Sequence, residues 1–160
     1  MRDALPIGHL RETRDRTLGD VRFRLFAAVA ALASAQVAGP AIAQDYTLEG
    51  GSFGPEQVAR GQEQYVANCA GCHGEDLRSA VSTAPDLTGP VFRFNWLNDP
   101  LSTKFEVIRT TMPQGNAGGL SDAAYADIIA YILSFNGVRE THGELPADSN
   151  ALKGITITQP

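Results

Sequence analysis

Residues 69–73 read Cys-Ala-Gly-Cys-His, and Cys69 and Cys72 are the only two cysteines in the 160-residue sequence. Two thiols three positions apart on one helical turn reach the vinyl edge of a single porphyrin, and the imidazole that follows turns up to its iron. The spacing is the signature of covalent haem attachment. It predicts one haem c held by two thioethers, with His73 as the proximal iron ligand. Three other readings use the same residues. A thioredoxin-like redox pair expects a strand before Cys-x-x-Cys and a helix after it, whereas here a helical pattern runs into Cys69 and a loop follows. A zinc site needs four ligands, and beyond these three the residues after 43 offer only His142, which lacks paired spacing. A structural disulfide leaves the adjacent histidine unexplained.

The first 43 residues differ in kind from the rest. Arg2, Arg11, Arg14, Arg16, Arg22 and Arg24 precede a mostly apolar run from Leu25 to Ala38, and Ala41-Ile42-Ala43 offers a small-x-small cleavage site before Gln44. This pattern predicts a secretory signal peptide over residues 1–43, removed after Ala43. The run is short for a membrane span and contains Ser34 and Gln36, so no stable span is expected once the signal is gone. The basic region is long, and a start near Val21 would by itself make an ordinary signal. Removal of 1–43 leaves 117 residues, with seven basic side chains against fourteen acidic ones and a formal charge of −7. An acidic surface of this kind argues against nucleic acid and anionic lipid as partners and favours a protein with a basic docking patch. Haem c attachment and export to an oxidising compartment agree with each other, since the motif uses both thiols. The expected location is the periplasm.

The elements that must position these residues read as helices. Residues 44–54 are glycine-rich and predict a flexible leader. Pro55 suits a first helical turn, and Val58, Gly61, Gln62, Tyr65, Val66 and Cys69 recur at helical spacing, which delivers the thiols. Residues 74–89 read as a loop. Asp99-Pro100 opens a short helix with Leu101, Phe105 and Ile108 on its buried side, and Met112-Pro113 ends it. Ser121 caps the last helix, whose stripe is Tyr125, Ile128, Ile129, Ile132 and Phe135, and Asn136-Gly137 supplies a left-handed stop. In the tail from Val138 to Pro160, Leu152, Ile155 and Ile157 are positioned to pin it to the surface.

With these elements in place the chain resembles class I cytochromes c over about residues 55–137. Gly61 and Tyr65 precede Cys69 by eight and four residues, where that family crosses its first and last helices on a glycine and an aromatic. Ile128 and Tyr131 are similar to the matching face of the last helix. Pro85-Asp86-Leu87-Thr88-Gly89 resembles the family's Pro-x-Leu-x-Gly loop. The resemblance implies that the Pro85 carbonyl accepts the other N–H of the proximal histidine and that Leu87 packs on the haem. It implies a propionate contact for Trp96 and a propionate-neutralising role for Arg93, against the plainer reading of the two as core and surface. Thr-Met-Pro resembles the distal-ligand context, and Met112 is the sole methionine after the signal, so Met112 is expected as the second axial ligand. A soft, neutral thioether stabilises ferrous iron and raises the reduction potential. A methionine filling a core gap is the plainer alternative. His142, beyond the last helix stop, is the poorer rival ligand.

The expected fold is all-α: a cytochrome c fold of three to five helices wrapped around one covalently bound haem, with the N- and C-terminal helices crossing. Residues 1–43 are the signal peptide, 44–54 the leader, 55–137 the cytochrome domain, and 138–160 a tail packed on the domain or trailing from it. The expected function is not catalysis but periplasmic transfer of single electrons between redox proteins. The stretch from Gly119-Leu120-Ser121 to Asn136-Gly137, with Glu144-Leu145-Pro146-Ala147-Asp148, resembles small cytochromes linked to quinoprotein alcohol dehydrogenases. The resemblance implies a quinoprotein dehydrogenase as donor and a terminal oxidase as acceptor, the chain being a monomer or a complex subunit. Two alternatives stay open. One is a haem enzyme or gas sensor with a labile Met112, and the other is the electron outlet of a larger dehydrogenase.

Overall fold

The computed structural model describes residues 46–159, so the expected signal peptide lies outside the described residues. The order is β1 (Thr47–Glu49), α1 (Pro55–Asn68), α2 (Ala70–His73), α3 (Gly89–Trp96), α4 (Leu101–Thr111), α5 (Asp122–Phe135), a 3-10 turn (Ala151–Gly154) and β2 (Thr156–Thr158). The protein is mostly helical, as expected, with one small sheet added.

Helix boundaries follow from local chemistry. Pro55 occupies the first turn of α1, where its missing N–H costs nothing. Ser121 caps α5 by accepting from the Ala124 N–H at 3.2 Å. Gly137, at φ +81°, ends that helix in the left-handed region. Gly74, at φ +74°, turns the chain out of α2, and a Cβ there would run into the Arg78 carbonyl.

The core centres on the crossing of α1 and α5. Gly61 lies against the backbone of α5 at Asp127, and a Cβ on it would collide with the Asp127 carbonyl and sit 3.0 Å from the Tyr131 Cβ. Beside that contact the rings of Tyr65 and Tyr131 pack with centroids 5.2 Å apart. Gln62 and Val66, although in register with this face by spacing, point outward. Residues 125–133 of α5 are all buried, so the expected stripe widens to the whole circumference, while Phe135 at its end is 44% exposed. A central helix packed against both α1 and α4 has no solvent side.

One expectation changes here. Residues 46–54 are not a flexible leader: Tyr46 and Phe53 are buried, and β1 pairs antiparallel with β2 through Leu48 opposite Ile157. Apolar side chains spaced between the glycines outweigh the freedom those glycines give. The tail packs on the domain at several points. Leu145, Leu152, Ile155 and Ile157 are buried, and the Gln57 side chain exchanges two hydrogen bonds with the Leu145 backbone, at 3.2 and 2.7 Å. The structure also adds α3, which composition did not announce.

Candidate haem-binding site

α1 and α2 bring the Cys-x-x-Cys-His run to the wall of a cavity of about 640 Å³, within the roughly 300–1,000 Å³ of small-molecule and cofactor pockets. Cys69, Cys72 and His73 line it together, and the backbone around them is closed by the Cys72 and His73 N–H groups donating to the Cys69 carbonyl at 3.1 and 2.9 Å. Both cysteines are free. Burial, with the neighbouring Cys72 charge, pushes the Cys69 thiol up to about 11. A helix, not a strand, leads into the pair, which removes the thioredoxin-like reading. Among the described residues no three His, Cys, Asp or Glu side chains gather as a metal site, and His142 lies exposed and away from the cavity.

His73 is 8% exposed and its Nδ1 lies 2.9 Å from the Pro85 carbonyl oxygen. A carbonyl only accepts, so Nδ1 carries the proton and the neutral ring keeps the Nε2 lone pair for a metal. The loop that offers this carbonyl is held at several points. Leu87 donates to the Leu77 carbonyl at 2.8 Å, Ser79 N–H donates to Asp86 at 2.7 Å, and the Asn136 amide donates to the Leu87 carbonyl at 2.9 Å. Tyr65 closes the same corner by donating from its hydroxyl to the Gly74 carbonyl at 2.8 Å. Burial is the chief cause that holds that phenol above its ordinary range, so it remains a donor.

Pro85, Leu87, Trp96 and Met112 line the same cavity, and Val91, Ile108, Ile128 and Ile132 give it apolar walls. Trp96 is held by stacking on Phe92, with centroids 5.4 Å apart. Met112 follows the last turn of α4, its N–H bonded to the Ile108 carbonyl at 2.9 Å. Arg93 is the exception. It is exposed and absent from the lining, because α3 turns Val91 and Asn95 toward the cavity and a residue two places after Val91 points about 200° round the helix. The cation at the cavity is Lys104, only 17% exposed at its side chain and paired with Asp99 at 3.2 Å. Lys104, Ile108 and Thr111 share one face of α4, a helical spacing that the sequence did contain. Tyr125 was missed too, and nothing local signals its contact. Its hydroxyl donates to the Met112 carbonyl at 2.8 Å across the glycine-rich loop.

Two thiols, an oriented imidazole and a thioether on one apolar cavity fit a covalently attached haem. The comparisons agree. Residues 56–132 match the family of the cytochrome c oxidase, cbb3-type, subunit III. The chain is 29% identical over 102 residues to a thiosulfate dehydrogenase of Stutzerimonas stutzeri (strain A1501), covering 61% of this chain and 31% of that protein. It is 29% identical over 100 residues to the cbb3-type cytochrome c oxidase subunit CcoP of Azospirillum sp. (strain B510), covering 57% of this chain and 33% of that one. The chain thus spans about a third of the length of the curated relatives it matches. No solved structure matches. Residues 56–132 therefore form a c-type cytochrome domain, and haem c with its iron is the cofactor that this domain implies.

Proposed function

We propose that the chain carries single electrons in the periplasm through one haem c, joined to Cys69 and Cys72, with its iron between His73 and Met112. The observation that carries the reading is the convergence of these four side chains, from two segments about forty residues apart, on one apolar cavity. Bound there, haem c supplies an iron that alternates between the ferrous and ferric states. The protein's part is to hold and tune. The Pro85 carbonyl accepts a hydrogen bond from the Nδ1–H of His73 and strengthens the imidazole as a ligand. Met112 offers a soft thioether that favours the ferrous state. Leu87, Ile108 and Ile128 would give the bound haem a dry, apolar surround, and Trp96 and Lys104 on the same cavity would supply N–H donors for its propionates.

Export rests on the signal over residues 1–43, and among the described residues no helix is long and apolar enough to cross a membrane. The acidic mature surface suits transient docking on a basic face of a redox partner. A quinoprotein dehydrogenase as donor and a terminal oxidase as acceptor fit this chemistry. A second reading, the electron outlet of a larger oxidoreductase, has support in relatives whose other two thirds lie outside the match.

The test is spectroscopic. The ferric protein should show the near-infrared sulfur-to-iron charge-transfer band, and the ferrous protein should bind carbon monoxide poorly at neutral pH. Loss of the band with ready carbon monoxide binding would point instead to an open iron site. Co-purification with a dehydrogenase, against migration as a monomer, separates the outlet from the free carrier.

A further inference from the structure

Met112 sits at the head of a loop with little of its own to hold it. Residues 113–119 contain Gly115, Gly118 and Gly119, the first two at φ +86° and +73°, and every residue from Gln114 to Gly119 is exposed. Its internal hydrogen bonds are two turns, Asn116 N–H to the Pro113 carbonyl at 2.8 Å and Gly119 N–H to the Asn116 carbonyl at 3.0 Å. Glycines in this number leave the loop many alternative paths. One buried group ties it to the core. Tyr125, 1% exposed on the first turns of α5, donates its hydroxyl to the Met112 carbonyl at 2.8 Å, and the Leu120 N–H donates to the Tyr125 hydroxyl oxygen at 3.5 Å. A single phenol therefore spans both ends of the loop. The other tie is the half-buried Arg109, 4.0 Å from the exposed Asp122, a surface pair that water and salt screen.

We infer that Tyr125 is a positioning residue for the distal ligand: its hydroxyl fixes the Met112 backbone and so keeps the thioether at the iron against competing ligands. The inference rests on Met112 being that ligand. A thioether is a weak donor to ferric iron, and an exogenous nitrogen base displaces it as readily as the loop can swing away. The phenol sets that readiness. Its ring remains as core packing in Tyr125→Phe, so the substitution removes the hydroxyl and leaves the volume.

The experiment is an imidazole titration of the ferric holoprotein, followed in the near-infrared band and the Soret region, with four proteins compared. Wild type should show the band and bind imidazole weakly. Tyr125→Phe should keep the band and bind imidazole about tenfold more tightly, the factor that 1.4 kcal/mol makes. Met112→Ala should lose the band. Gln57→Leu is the control for general loosening. It breaks the buried bonds to Leu145, away from the cavity, so its melting temperature should fall while its imidazole affinity stays that of wild type. Wild type with the band and Tyr125→Phe with unchanged affinity would overturn the role of Tyr125 while leaving Met112 as ligand. An equal gain in Gln57→Leu would overturn it as well. A wild type without the band would remove Met112 as ligand and this inference with it.

Discussion

Lys104 is the charged side chain on which the iron's potential should depend most directly. It lines the cavity with only 17% of its side chain exposed, and its partner Asp99 lies on the solvent side at 54%. Ferric iron carries one more positive charge than ferrous, so a nearby cation favours the reduced form. Lys104→Ala should lower the midpoint potential by roughly 20–40 mV, the one-electron equivalent of ~0.5–1 kcal/mol of partly screened repulsion. Arg93→Ala removes the same charge from an exposed position off the cavity and should leave the potential unmoved at moderate ionic strength. Spectroelectrochemical titration of the two variants checks the contrast, and equal shifts would mean that only net charge matters. The same pair shows what was legible at this scale. Cys69, Cys72 and His73 lie within five residues of one another, and the Pro85–Leu87 loop follows only twelve residues on, so a short stretch of chain determines what they can reach. Lys104 and Arg93 depend on how two helices are rotated toward the cavity, and a run such as Phe92-Arg93-Phe94 does not say which way it faces until the helix is drawn.

Helix α1 meets α5 where one hydrogen atom takes the place of a side chain. By propensity alone an alanine at Gly61 would stabilise α1 by about 1 kcal/mol. Its Cβ, however, would strike the Asp127 carbonyl, with the carbonyl carbon at 2.6 Å and the Tyr131 Cβ at 3.0 Å. Backbone cannot swing aside as a side chain does. The helices must separate, and the Tyr65–Tyr131 contact opens with them. Gly61→Ala should therefore destabilise the holoprotein by about 2 kcal/mol, overpacking outweighing propensity. Gln62→Ala, one residue on and exposed, should stay within about 0.5 kcal/mol of wild type. Guanidinium melts of both decide it, and a stabilised Gly61→Ala would refute the close crossing. Helix ends marked by Pro55, Ser121 and Gly137 were readable because capping is local. α3 was not, since Gly89-Pro90 reads equally as loop punctuation and as a helical first turn.

At the scale of the molecule, β2 decides where the folded unit ends. Ile157 is fully buried, pairs with Leu48 of β1, bridges to Leu97, and accepts the Asn98 N–H at its carbonyl at 2.9 Å. Leu97 and Asn98 join α3 to α4, the helices that bring Trp96 and Lys104 to the cavity. One tail residue thus closes the N-terminal segment and braces the joint beneath the site. A cytochrome unit ending at Gly137, as the helical pattern suggests, would treat this tail as optional. Its burial argues otherwise. Ile157→Ala removes a branched side chain from a position with no solvent to relax into, and it should cost about 2–4 kcal/mol, a large part of the roughly 5–15 kcal/mol that holds a domain folded. Gln159→Ala, exposed two residues further on, should be silent. Thermal unfolding of the holoprotein, followed in parallel by far-ultraviolet circular dichroism and Soret absorbance, reads both. A single coincident transition, lowered in Ile157→Ala alone, would make the tail part of one cooperative unit with the haem cavity. A Soret transition that stays at the wild-type temperature would instead make the cavity independent of that strand.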